Sequence, residues 1–118
     1  MILVDTSVWV EYFRSGSSEL QVLLNDGDVL CHPFIIGELA CGNLNNRSKI
    51  LSLLHDLPTI AHADDPEVLL FIEKNGLMGK GLGYIDLHLL MSALLNRVSL
   101  WTLDKRLQAV ALKLLPLH

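Results

Sequence analysis

Aromatic rings, cysteine, basic excess and long uncharged runs are all scarce in this chain of 118 residues. Seven side chains are aromatic, against 27 leucines, so any core is built mainly from aliphatic packing. The two cysteines, Cys31 and Cys41, have neither the close pairing nor the histidine spacing of a zinc site, and read as reduced, partly buried thiols. The five histidines are scattered, with no pair at helical spacing. The longest stretch without Asp, Glu, Lys or Arg runs from Leu87 to Asn96, far short of the ~20 residues a membrane-spanning helix needs. Met1 to Asp5 lacks the basic start of a signal peptide and carries a charge too early, so the expected location is the cytoplasm. Nine basic against 13 acidic residues give a net charge of -4, which argues against coating nucleic acid by bulk charge but not against a local site. No internal repeat, low-complexity tract or linker breaks the chain, and its length suits one domain over residues 1–118.

What is present is 51% hydrophobic, which excludes disorder as the main state. Short apolar runs alternate with segments of helical periodicity. Ile2-Leu3-Val4, Val29-Leu30-Cys31, Thr59-Ile60-Ala61 and Ser99 to Thr102 read as strands. Helices are expected from Ser7 to Phe13, from Ser17 to Leu24, from Pro33 to Ala40 and from Ser48 to His55. Three more follow Asp64, Gly83 and Asp104. Strands alternating with helices imply an α/β domain with a parallel sheet covered on both faces.

Four carboxylates keep unusual company. Asp5 directly follows the first apolar run, and Asp104 comes two residues after Thr102. Glu38 lies within Phe34-Ile-Ile-Gly-Glu-Leu-Ala40, and Asp86 within Tyr84-Ile-Asp-Leu-His-Leu-Leu-Met91, the most apolar helix. Strand ends in a parallel sheet share one edge, where ligand crevices open. Acids gathered there repel one another and invite a cation, and an oxygen-only donor set suits Mg²⁺ or Mn²⁺. Each acid also has an ordinary reading. Asp5, Asp86 and Asp104 could cap or flank the helices beside them, and Glu38 could face water.

Taken in order, these segments resemble the PIN-domain ribonucleases, in particular the VapC-like toxins of bacterial toxin–antitoxin pairs. Ile2-Leu-Val-Asp-Thr-Ser-Val-Trp-Val10 resembles the family's opening strand, first acid and hydroxyl residues. Ile36-Gly-Glu-Leu39 carries the second acid, Gly83-Tyr-Ile-Asp86 the third, and Trp101-Thr-Leu-Asp104 the closing Thr-x-Asp. The resemblance implies a three-layer α/β/α sandwich with a short, mostly parallel central sheet. It implies an endoribonuclease dependent on Mg²⁺, with Mn²⁺ as substitute, whose metal is held by Asp5, Glu38, Asp86 and Asp104. Thr102 would orient a carboxylate or water, and Ser7 would support the site near Asp5. The implied partners are structured RNA, such as tRNA or ribosomal RNA, a second copy of the chain and a cognate antitoxin. The chain departs from the family at its end, where Leu114-Leu-Pro-Leu-His118 leaves the terminal strand short or degenerate.

Lys80, Lys105, Arg106 and Arg14 are the basic residues expected to meet RNA, since each follows or precedes a segment bearing an acid. Alternatives within reach are a housekeeping nuclease of the same fold, a catalytically inactive binding domain, and a receiver-type signalling domain. The last needs an acidic pair after its first strand, and Asp5 is followed by Thr6.

Overall fold

Leu3 and Val4 are fully buried, and the wholly apolar run that contains them, Ile2–Val4 (β1), is the middle strand of a three-stranded parallel sheet. The computed structural model describes residues 1–118. Val29–Leu30 (β2) pairs on one side, with Ile2 opposite Val29, and Ser99–Trp101 (β3) on the other, with Val4 opposite Trp101. The chain moves one way across the sheet from β1 to β2, then back past β1 to reach β3. Right-handed crossovers therefore lay helices on opposite faces, which is why β1 needs no alternation of apolar and polar residues.

Seven helices fill the connections: Thr6–Ser15 (α1), Ser18–Asn25 (α2), Pro33–Cys41 (α3), Arg47–Asp56 (α4), Asp65–Lys74 (α5), Tyr84–Asn96 (α6) and Lys105–Leu114 (α7). Their starts follow local chemistry. Ser17 accepts a hydrogen bond from the Leu20 N–H, and Asp64 and Glu67 cap α5 reciprocally at 2.9 and 3.1 Å. Leu87, Leu89, Leu90 and Ala93 bury α6 in the core, so the helix that carries Asp86 is fixed along most of its length.

The expected strand at Thr59–Ala61 is reduced to one bridge, between Thr59 and Cys31. The ladder has no room to extend: Pro58 offers only its carbonyl, to the Cys31 N–H, and His32 leaves the sheet to cap α3. No terminal strand forms either. Leu115 is buried, and the His118 ring stacks on Trp101 at 4.8 Å. The cysteines differ from the expected pair of partly buried thiols. Cys41 is exposed, whereas Cys31 is wholly buried and its thiol is pushed up to about 11 by that burial.

His32 ends the sheet and starts a helix at once. Its Nδ1 accepts the Phe34 N–H at 2.9 Å, which requires an unprotonated nitrogen, while its Nε2 is buried without a partner. Burial, and then the neighbouring His62 and His88, pull its pKa down from 6.5 to about 4. The unfolded chain takes up that proton near 6.5. The stabilisation from the neutral ring is therefore whole above that pH and is lost as pH falls towards about 4, an effect of roughly 3 kcal/mol. Urea titrations of the native protein and of His32→Asn, which keeps a capping acceptor, are expected to show the gap between them closing by that amount from pH 7 to pH 4. Parallel curves would mean that His32 does not titrate with folding.

Candidate active site

The carboxyl ends of β1 and β3 lie side by side because the strands are parallel and in register, and this places Asp5 beside Thr102. Asp5 occupies the N-cap position of α1 yet makes no capping bond with its side chain. Instead, Asp5 Oδ2 accepts the hydroxyls of Ser7 and Thr102, each at 2.8 Å. The two hydroxyls stand 3.3 Å apart. Each is fixed in turn by a backbone donor, the Leu103 N–H to Ser7 Oγ and the Asp104 N–H to Thr102 Oγ1. A buried carboxylate held by two oriented hydroxyls is costly for a fold to maintain for capping alone, and here it does no capping.

The other three acids arrive from different elements. Glu38, on α3, receives the Thr6 hydroxyl on Oε1 at 2.8 Å. Asp86, in the first turn of α6, receives the Gly83 N–H on Oδ2 at 3.0 Å. Asp104 caps α7, with Oδ1 accepting from the Arg106 and Leu107 N–H groups, so its ordinary reading is realised by one oxygen and the other is left over. The electrostatics ties the four together. Glu38 is exposed on α3, as its ordinary reading had it, yet partial desolvation first, and then the like charges of Asp5 and Asp86, raise it above the usual carboxylate range, against the lowering effect of Thr6. Asp86 is raised by burial and by Asp5 and Asp104, against the Gly83 hydrogen bond. None has a cationic partner: the Lys/Arg ion pair of the chain is Arg14–Glu11, and the two histidine–carboxylate contacts, His88–Asp65 and His118–Glu19, involve other acids.

Unpaired carboxylates that raise one another's pKa, supplied with oxygen donors only, fit a hard divalent cation. The fit is one of charge and donor chemistry. As the side chains stand, no three close on a single point, and each acid has an oxygen on a local donor. Thr6 and Gly83 were not among the sequence-derived residues. The only sign of Thr6 was its position directly after Asp5, and a glycine N–H leaves no mark in composition.

The basic residues separate into groups. Lys80 and Arg106 share a cleft of about 390 Å³ with Lys113, over an apolar floor that includes Leu77 and Val110. Arg106 packs over Gly81, whose φ of +76° suits glycine and where a Cβ would meet the guanidinium at 2.7 Å. Lys105 is exposed at the start of α7, next to Asp104. Arg14 is not brought to the acids. It pairs with Glu11 at the far end of α1, about 13.5 Å of helix from Asp5, where it lines a separate hollow of about 830 Å³ with Tyr12 and Asn43.

The histidines, scattered in sequence, are partly gathered in space. His32, His62 and His88 meet near the first turn of α3, with ring centroids 5.3 Å (His32–His62) and 6.4 Å (His32–His88) apart. Their segments are joined only by the fold, so no spacing rule could find them.

A family model described as PIN domain matches residues 2–113. Two curated relatives, both Ribonuclease VapC32 of Mycobacterium tuberculosis, from strains CDC 1551 / Oshkosh and ATCC 25618 / H37Rv, are each 46% identical over 113 residues. The match covers 92% of this chain and 89% of the relative.

Proposed function

The chain belongs to the PIN-domain family, and from that premise we propose that it is a single-domain endoribonuclease of the VapC type, the toxin of a toxin–antitoxin pair, acting with Mg²⁺ or Mn²⁺. The observation that carries the reading is the set of four acids without cationic partners, brought within electrostatic reach of one another from the β1–α1 junction, α3, α6 and the β3–α7 turn. Asp5, Glu38, Asp86 and Asp104 would hold the ion, which when bound supplies a Lewis acid for the phosphate and a more acidic water. Ser7 and Thr102 keep Asp5 Oδ2 oriented, Thr6 and the Gly83 N–H do the same for Glu38 and Asp86, and Asp104 is held by the first turn of α7. Glu38 keeps Oε2 outside its Thr6 bond, which leaves that oxygen for the ion.

The substrate in this reading is structured RNA, tRNA or ribosomal RNA, met in the cytoplasm by a homodimer and withheld by a cognate antitoxin. No helix is long and apolar enough to cross a membrane, which is consistent with that location. Exposed Leu69, Leu70, Leu94 and Leu95 offer apolar surface for a second copy. Phosphates would be met by Lys80, Lys105 and Arg106, with Arg14 a more distant contact. Lys80→Ala and Arg106→Ala are expected to raise KM several-fold at physiological salt, to leave kcat nearly unchanged, and each to reduce the slope of log affinity against log salt by about 1.

The test of the function is growth on induced expression together with cleavage of total RNA by the purified protein. Arrest relieved by the product of the neighbouring upstream gene, with cleavage stopped by EDTA, supports the toxin reading. Cleavage without growth arrest favours a housekeeping nuclease, and no cleavage removes the enzyme reading.

A further inference from the structure

A second hollow, of about 320 Å³, is lined by none of the four acids but draws on α3 and α6, the two helices that carry Glu38 and Asp86. Phe34 from α3, His62 and Ala63 from the segment before α5, Asp64 and Asp65 at its start, and His88 from α6 line it. Phe34 stands four residues, one helical turn or about 6 Å of rise, before Glu38, and His88 two residues after Asp86. The walls are aromatic. Phe34 meets His88 edge-on at 4.8 Å, Tyr84 meets His88 at 4.7 Å, and Phe34 nevertheless remains 37% exposed.

Asp65 is built in unusually for a surface acid. The capping of α5 is done by Asp64 with Glu67, so Asp65 is not needed for it. Its Oδ1 accepts the Tyr84 hydroxyl at 2.6 Å and His88 Nε2 at 2.9 Å, while Oδ2 takes no bond. Those two donors, Tyr84 first, hold its pKa below the usual carboxylate range, so it stays an acceptor. The Asp65 side chain is 70% exposed, whereas His88 beneath it is 3% exposed and keeps a buried Nδ1 without a partner. A mere tie between α5 and α6 would not need a carboxylate turned outward beside an open aromatic face.

A hollow with acids at its mouth is unsuited to phosphate. It suits the donor edge of a flat ring. We propose that this hollow is a guanine subsite for the RNA strand lying across the acids: the base stacks on Phe34, and its adjacent N1–H and N2–H₂ donors both meet Asp65 Oδ2, the oxygen that Tyr84 and His88 leave free. The proposal rests on the ribonuclease reading and adds to it a determinant of where the RNA is cut. Guanine is the one RNA base with two adjacent donors on its pairing edge, and a fixed carboxylate is the side chain that matches them. Adenine and cytosine place one amino donor beside an acceptor, which would face the same carboxylate unfavourably, and uracil has only N3–H between two carbonyls.

The experiment is binding of guanosine, adenosine, cytidine and uridine 5′-monophosphates to the full chain, by ligand-observed magnetic resonance with isothermal titration. Binding needs no cleavage, so its outcome is separate from that of the ribonuclease reading. Guanosine monophosphate is expected to bind at least about tenfold more tightly than uridine monophosphate. Asp65→Asn should remove that preference. Phe34→Ala should weaken all four by about tenfold, and Phe34→Trp should restore them, as stacking on any aromatic face predicts. Guanine preference without RNA cleavage would leave the subsite standing and the nuclease reading fallen. Equal binding of the four nucleotides, or a preference unchanged in Asp65→Asn with the circular dichroism of the native chain, would overturn the subsite. So would a hollow that binds no nucleotide and whose Asp65→Asn and Phe34→Ala variants weaken only antitoxin binding, which would make it a seat for a partner's guanidinium.

Discussion

Asp5→Asn is expected to lower RNA cleavage by at least about a hundredfold, some 2.7 kcal/mol of transition-state stabilisation, while the protein stays folded with an equal or higher Tm. The two halves of that result have one cause. Asp5 is buried, unpaired by any cation, and contributes to pushing both Glu38 and Asp86 upward. An amide keeps an oxygen for the Ser7 and Thr102 hydroxyls but removes the charge, so the repulsion is relieved and the local framework survives. A structural carboxylate would behave in the opposite way, since removing a stabilising charge lowers Tm. Cleavage against Tm for Asp5→Asn, measured on the same preparation, separates the cases. Lost activity with a raised or unchanged Tm is the expected pair, and lost activity with a collapsed Tm would point to a structural role.

Removal of divalent ions is expected to stop cleavage completely, and Mn²⁺ or Mg²⁺ to restore it, with a requirement that steepens as the solution becomes more acidic. Glu38 and Asp86 must give up protons to become ligands, and partial desolvation with like charges makes both hold them more tightly than free carboxylates do. Each proton released on binding raises the half-saturating metal concentration up to about tenfold per pH unit below the group's folded pKa. The effect on stability has a definite sign. For a carboxyl whose folded pKa is raised, stabilisation is whole below the unfolded pKa and is lost as pH rises through the folded one. Without metal the acids therefore cost stability near neutrality, and added Mn²⁺ should raise Tm there and progressively less towards pH 4. His32 acts in the reverse direction over part of that range. The quantity to measure is accordingly the Tm difference with and without metal at each pH, in which His32 cancels. A metal effect on Tm that grows as pH falls would contradict the account.

Much of this site was legible because backbone and chemistry coincide in it. Ile2 to Val4 has no polar residue and can only be a strand covered on both faces, so Asp5 at its end had to emerge at the ligand edge. The same reasoning put Asp104 two residues beyond the last expected strand, whose final residue, Thr102, lies just past β3 in the structure. Glu38 and Asp86 were visible as charges on apolar helices. Sequence could not decide between capping and function for Asp5 and Asp104, because both occupy N-cap positions. The structure gives different answers: Asp5 does not cap with its side chain, and Asp104 does so with one oxygen. Thr59–Ala61 looked like a strand by composition, but pairing depends on a neighbour, and β2 ends after two residues. Lys80 and Arg106 converge because a glycine loop folds onto α7, whereas Arg14 is carried away by nine residues of α1. The meeting of His32, His62, His88 and Asp65 lies wholly in tertiary structure, which is why the aromatic hollow left no trace in the order of residues.

The central claim is that Asp5, Glu38, Asp86 and Asp104 form one metal-dependent site for RNA cleavage. Its most direct test is a calorimetric titration of Mn²⁺ into the native chain, Asp5→Asn and Asp86→Asn at pH 7.5, paired with RNA cleavage by the same samples. The account predicts saturable binding by the native protein, binding lost or severely weakened in both variants, and cleavage lost with it. Undiminished Mn²⁺ binding in both folded variants, or cleavage by the native protein in excess EDTA, would contradict it.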